Sequence, residues 1–122
     1  MSIAVAELIQ PEPKMETRSP VTLIAKVKKD LALGARLEVE CVISVVKKGT
    51  MLTGKWVFYL LTDDPDGKEF RSQVVVWGTM DTKVVKTIPG LVALASDLNV
   101  SVPEIPLIAG KKGIWRVDGL DK

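Results

Sequence analysis

The sequence contains no histidine and one cysteine, Cys41. The commonest general base and the commonest metal ligand are therefore missing, and a lone thiol cannot close an internal disulfide. Zinc sites, Ser-His-Asp triads and Cys-His dyads are excluded. Catalysis would have to rest on carboxylates and lysines, and the acidic residues fall in turns rather than in a pocket, so no enzyme activity and no catalytic residue are expected. No cofactor or metal is expected either. Asp63, Asp64 and Asp66 lack the glycine and terminal glutamate of an EF-hand loop and read as a turn. The lone cysteine points to a reducing setting. No apolar run approaches the roughly 20 residues that cross a bilayer, and the start, MSIAVAELIQPEPK, lacks the charged n-region of a signal peptide. A soluble, cytoplasmic protein with no membrane partner is the expectation.

Net charge is also scarce, at +2 with a pI of about 8.7. Residues 1–34, 35–78 and 79–122 carry five, six and six Lys/Arg against four, six and five Asp/Glu, so no basic segment hides behind an acidic one. Binding carried mainly by phosphate neutralisation would need a larger excess. The 122 residues, 47% hydrophobic and 26% charged, suit one domain with a core of its own. That domain divides into an N-terminal extension, 1–34, and a body, 35–122.

In the extension, residues 1–10 are apolar-rich and read as a short strand or an interface segment, and PEPKMETRS (11–19) as a linker. Ser19 suits an N-cap and Pro20 the first helical position. Leu23, Ile24, Val27 and Leu31 at helical spacing then predict a helix over 20–33, closed by Gly34. VTLIAKV also reads as a strand.

From Leu37 to Val46 the period becomes two. Leu37, Val39, Cys41, Ile43 and Val45 share one face, and Cys41 is expected in the core. Lys47–Gly54 is expected as a loop, Lys55–Thr62 as a second strand, DDPDG (63–67) as a turn and Lys68–Trp77 as a third strand. A helical stretch over Lys83–Leu98, capped by Asp81 or Thr82, has its better half starting near Pro89. SVPEIPLIAG is extended because two prolines forbid a regular helix. A turn at Lys111–Gly113 leads into a closing strand over Ile114–Val117, where Trp115 is read as core or interface. Three consecutive strands followed by a helix and short strands imply a mainly β fold, a five-stranded Greek-key barrel with an N-terminal helix and a helix between strands 3 and 4.

The layout from Leu37 to Gly78, strand–KKG–strand–turn–strand, resembles an OB-fold protein. EFRSQVVVWG (Glu69–Gly78) is similar to the third-strand segment of bacterial and phage single-stranded DNA-binding proteins. Bacterial members end in an acidic tail with a Phe-terminated tip, whereas this sequence ends in VDGLDK. The resemblance then implies a compact phage- or plasmid-type relative, working in the host cytoplasm if phage-encoded, or a domain built on the same barrel for another purpose.

In the third strand Arg71, Gln73 and Trp77 share the likelier outward face, while Phe70 is left open. Aligning the end of the second strand with the resembled family puts Leu61, Tyr59 and Val57 inside, and turns Trp56 and Phe58 outward beside Arg71 and Gln73. Lys47 and Lys48 read as phosphate contacts if they flank that face, and otherwise as solvated turn residues, and Lys55, at the start of the second strand, is a further candidate contact. Lys111-Lys112 is read in the same two ways. The expected function is non-catalytic binding of single-stranded DNA, coating or protecting it in replication or recombination as a homo-oligomer. Stacking platforms read any base, so DNA and RNA are not separated. The alternative is an assembly module that uses the exposed aromatics and the apolar start as an interface.

Overall fold

The computed structural model describes residues 21–117. The Ser19 cap, Pro20, the apolar start and the linker lie outside the described residues. The described chain is mainly β, with β1 (Val21–Leu23), α1 (Ile24–Ala32), β2 (Arg36–Lys48), β3 (Met51–Asp63), β4 (Glu69–Val75), β5 (Val85–Thr87), α2 (Ile88–Asp97) and β6 (Lys112–Trp115). The six strands form one mixed sheet in the order β1-β4-β3-β2-β6, with β5 also paired to β3. β1 and β6 end this path, so the sheet is open where a closed five-stranded barrel was expected.

The extra strand comes from the segment that reads both ways. Val21, Thr22 and Leu23 pair in parallel with Gln73, Val74 and Val75 of β4. The expected first helical turn is thus drawn into the sheet by β-branched residues against a free strand edge. α1 begins only at Ile24 and its N-cap, Leu23, makes no side-chain cap. It buries Val27 and Leu31 and ends at Gly34, whose φ of +107° suits a residue without Cβ.

β2 and β3 are longer than their sequences suggest. Lys48 pairs with Met51, so Gly49-Thr50 closes a two-residue hairpin and most of the expected Lys47–Gly54 loop is strand. The register slips by one residue between Cys41 and Ile43 and again between Ile43 and Val46. Each slip is a bulge that turns the strand, and beyond them the hairpin continues as an arm. Gly54 sits at the root of the arm. A Cβ there would lie 2.9 Å from the Ile43 carbonyl oxygen and 3.0 Å from the Trp56 ring.

The core faces inward from Leu37, Val39, Cys41, Trp56, Phe58 and Leu60, with Val74 and Trp115 beside them. Phe58 and Trp115 meet with ring centroids 6.0 Å apart and planes tilted by 60°, a favourable edge-to-face geometry. Leu91, Ala95 and Leu98 of the α2 region join the same core. α2 is capped by Thr87, not by Asp81 or Thr82: the Gly90 N–H donates to Thr87 Oγ1 at 3.0 Å. The residues before it form β5 and a bridge of Thr82 to Val75.

Residues 103–107 run without a turn, as the prolines require, and they form a strap held by the two buried indoles. Trp56 Nε1 donates to the Pro106 carbonyl at 2.8 Å and Trp115 Nε1 to the Glu104 carbonyl at 2.7 Å. The Val45 N–H also donates to the Leu107 carbonyl at 2.9 Å. The turn after the strap falls at Gly110, with φ +92°, so Lys112 and Gly113 belong to β6 rather than to a turn.

Candidate functional site

The expected site splits in two. Pairing puts Arg36, Leu61 and Arg71 in one cross-strand row and Glu38, Tyr59 and Gln73 in the next. Residues opposite one another share a sheet face, so this outer face holds Arg71 and Gln73 as expected. It also holds Tyr59, which the sequence placed inside. Trp56 and Phe58, expected beside them, are fully buried on the other face. The phase of β3 is therefore the reverse of the one aligned on its end. Both faces of this strand are apolar, and cross-strand pairing with Leu37, Val39 and Cys41 decides which one fills the core. As placed, neither Trp56 nor Phe58 offers a ring to a base.

Arg71 and Gln73 are already committed. Arg71 donates to Glu38 through two nitrogens, at 2.8 and 3.4 Å, and its guanidinium lies 3.7 Å from Glu40 and 3.6 Å above the Tyr59 ring. The hydrogen bond to Glu38 holds the guanidinium even more firmly protonated, against the opposing effect of partial desolvation. Lys112 approaches Glu38 at 3.7 Å. Gln73 Nε2 donates to Thr82 Oγ1 at 2.7 Å. This face is a satisfied ion-pair network in which two carboxylates face two cations, so an incoming phosphate would meet Glu38 and Glu40 as well as Arg71.

The other part is the arm. Lys47 and Lys48 are exposed near its tip and Lys55 is half-buried near its root. Ile43, Val46, Met51 and Leu52 are exposed on the same ribbon. From Cys41 to Thr62 the chain has three lysines and no carboxylate, and from Thr82 to Ser96 it has Lys83 and Lys86 and again no carboxylate. The acidic residues Asp63, Asp64, Asp66 and Glu69 gather at the turn between β3 and β4. There Asp64 Oδ1 accepts from the Asp66 and Lys68 N–H groups, and Arg36 pairs with Asp63 and Glu69. The two ends of the 13-residue β3 are separated by roughly 40 Å of strand at about 3.3 Å per residue.

Trp77 lies past the end of β4 rather than on its outer face. β4 runs antiparallel to β3, so its last residue, Val75, points the chain toward the arm end, and the following turn displays Trp77. It is 78% exposed, while Trp56 and Trp115 are at 0%. Of the eight residues expected in the site, Lys47, Lys48, Lys55 and Trp77 thus belong to the arm end, Arg71 and Gln73 to the ion-pair face, and Trp56 and Phe58 to the core. The exposed apolar residues of the arm were missed. The signal for the arm was the carboxylate-free run from Cys41 to Thr62. Cys41 is buried as expected, and burial pushes its thiol pKa up.

Comparison with protein-family models, with curated proteins and with solved structures finds no match.

Proposed function

We propose that the chain is a non-catalytic single-stranded nucleic-acid-binding protein, of the kind that coats or protects DNA strands, with an OB-like body and the arm and the Trp77 turn as its contact surface. The observation that carries this reading is the joint placement of carboxylate-free, lysine-bearing strands and the one fully displayed indole at the same end of the sheet. Lysines supply phosphate contacts and an exposed ring supplies a stacking platform worth about 1–3 kcal/mol per base. In support of the OB-like body stand the three-stranded meander β2-β3-β4, the helix after it, and the return of β6 to the side of β2.

The test is a titration with oligo(dT), followed by tryptophan emission and by gel mobility. Because Trp56 and Trp115 are buried, quenching reports on Trp77. Three or four lysine–phosphate contacts predict a slope of log K against log salt of roughly −2 to −3. Unchanged emission and mobility at saturating oligonucleotide and low salt would refute the reading.

The exposed Ile43, Val46, Met51 and Leu52 favour a second reading, an assembly module whose arm docks on protein. Light scattering separates the two: a homo-oligomer dispersed by charged substitutions at Val46 and Leu52, with no response to oligonucleotide, supports assembly.

A further inference from the structure

Two described residues other than glycine have left-handed backbones, Asn99 and Met80. Asn99 follows the end of α2, where its N–H donates to the Ser96 carbonyl at 3.1 Å. Asparagine tolerates that conformation and commonly ends helices in it. Met80, with φ +59°, has no such local reason. Its turn is closed by two backbone bonds: the Met80 N–H donates to the Val76 carbonyl at 3.0 Å and the Val76 N–H to the Asp81 carbonyl at 2.9 Å. Thr79 Oγ1 accepts from the Asp81 N–H at 3.3 Å. The turn's other left-handed position, Gly78, is a glycine. A glycine at 80 would make the same bonds with less strain, and the Met80 side chain is 51% exposed, so core packing does not offset the cost. The turn uses the left-handed conformation, but nothing in its packing or bonding calls for methionine there, and a bulky residue held at such an outlier is a candidate for a functional role.

Resting on the single-strand reading above, we propose that Met80 is the second contact of the Trp77 site, so that the indole stacks on an unpaired base and the thioether packs against the same nucleotide. The occupant follows from the chemistry of the turn. An indole and a polarisable thioether, exposed three residues apart on a hydrogen-bonded turn, suit a flat, weakly polar ring. Asp81 sits in the same turn and disfavours a phosphate there, while Lys83 and Lys86 follow in a stretch without carboxylates. The turn therefore takes the base, and the lysines take the backbone.

The test uses the full chain and a dye-labelled oligo(dT), read by anisotropy at about 50 and 200 mM salt, together with thermal melts. Met80→Gly is expected to melt at or above the wild-type temperature and to bind about two- to tenfold more weakly at both salts, as loss of a sulfur–ring contact implies, with its salt slope unchanged. Met80→Asn tolerates the same backbone and should lose affinity likewise if glycine loosens the turn. Met80→Leu should restore most of the affinity. Wild-type binding by both Met80→Gly and Met80→Asn, with Trp77→Ala weakened, overturns this inference and leaves the functional reading standing. No binding by the wild type overturns both.

Discussion

Gly54→Ala tests the root of the arm. Gly54 does not have a left-handed φ, so alanine meets no backbone penalty and any cost comes from space. The new Cβ would lie 2.9 Å from the Ile43 carbonyl oxygen, and 3.0 and 3.3 Å from two ring carbons of Trp56. The first of these is backbone at a bulge and the others belong to an indole anchored on the strap, so neither yields easily. Overpacking of this kind costs about 1–3 kcal/mol. The reduced entropy of the unfolded chain returns about 0.4–1 kcal/mol, which leaves a net loss of roughly 1–2 kcal/mol. For a domain near 100 residues that lowers Tm by roughly 4–8 °C per kcal/mol. Denaturant titration and thermal melting followed by circular dichroism measure the loss, and tryptophan emission reports displacement of Trp56. Gly49→Ala is the control: its φ is +63° and a Cβ there meets nothing within 4 Å. It should pay only the left-handed penalty, about 1–2 kcal/mol, and leave the emission unchanged. A Gly54→Ala protein as stable as wild type, with wild-type emission, would refute the packing described at the root of the arm.

Trp56→Phe should cost about 2–4 kcal/mol in denaturant titration, because it opens space in the core and leaves the Pro106 carbonyl without its 2.8 Å donor; a loss under about 0.5 kcal/mol would mean that the strap does not depend on the indole. Lys47→Glu with Lys48→Glu should leave Tm nearly unchanged, since both residues are exposed, while weakening oligo(dT) binding and flattening its salt slope by roughly 1–2. Equal affinity in the double variant would remove the arm from the contact surface.

Local chemistry was legible wherever a single residue type decides the backbone. The turn at Asp63–Gly67, the extended run through Pro103 and Pro106, and the better half of α2 starting near Pro89 all follow from proline, glycine or aspartate acting on their own neighbours. What was not legible depended on pairing. Val21–Leu23 carries helical spacing and strand propensity together, and the free edge of β4 decides for the strand. Trp56 and Phe58 alternate with Val57, Tyr59 and Leu61, so β3 has two apolar faces and period two cannot choose between them. The bulges after Cys41 and Ile43 shift the register twice without any proline to announce them. Trp77 was rightly read as exposed, for the wrong reason, because the strand ends two residues before it.

The small net charge also means something different once the strands are paired. Along the sequence the lysines and carboxylates are evenly divided, which suggests a surface with no preferred charged patch. Antiparallel pairing separates them in space, bringing Lys47 and Lys48 to one end of the β2–β3 hairpin and Asp63, Asp64, Asp66 and Glu69 to the other, with Lys55 between them, eight residues or roughly 26 Å of strand from Asp63. Roughly 40 Å of strand is about five Debye lengths at physiological ionic strength, so the acidic turn contributes almost nothing to the field at the arm. The nearer Glu38 and Glu40 are answered by Arg71 and Lys112. A polyanion arriving at the arm therefore meets three lysines with no carboxylate among them, Lys47 and Lys48 on opposite faces of the ribbon, and the value of +2 for the whole chain understates what it feels. A patch of that size gives a modest salt slope, and the remainder of the affinity has to come from the apolar and aromatic groups displayed at the same end.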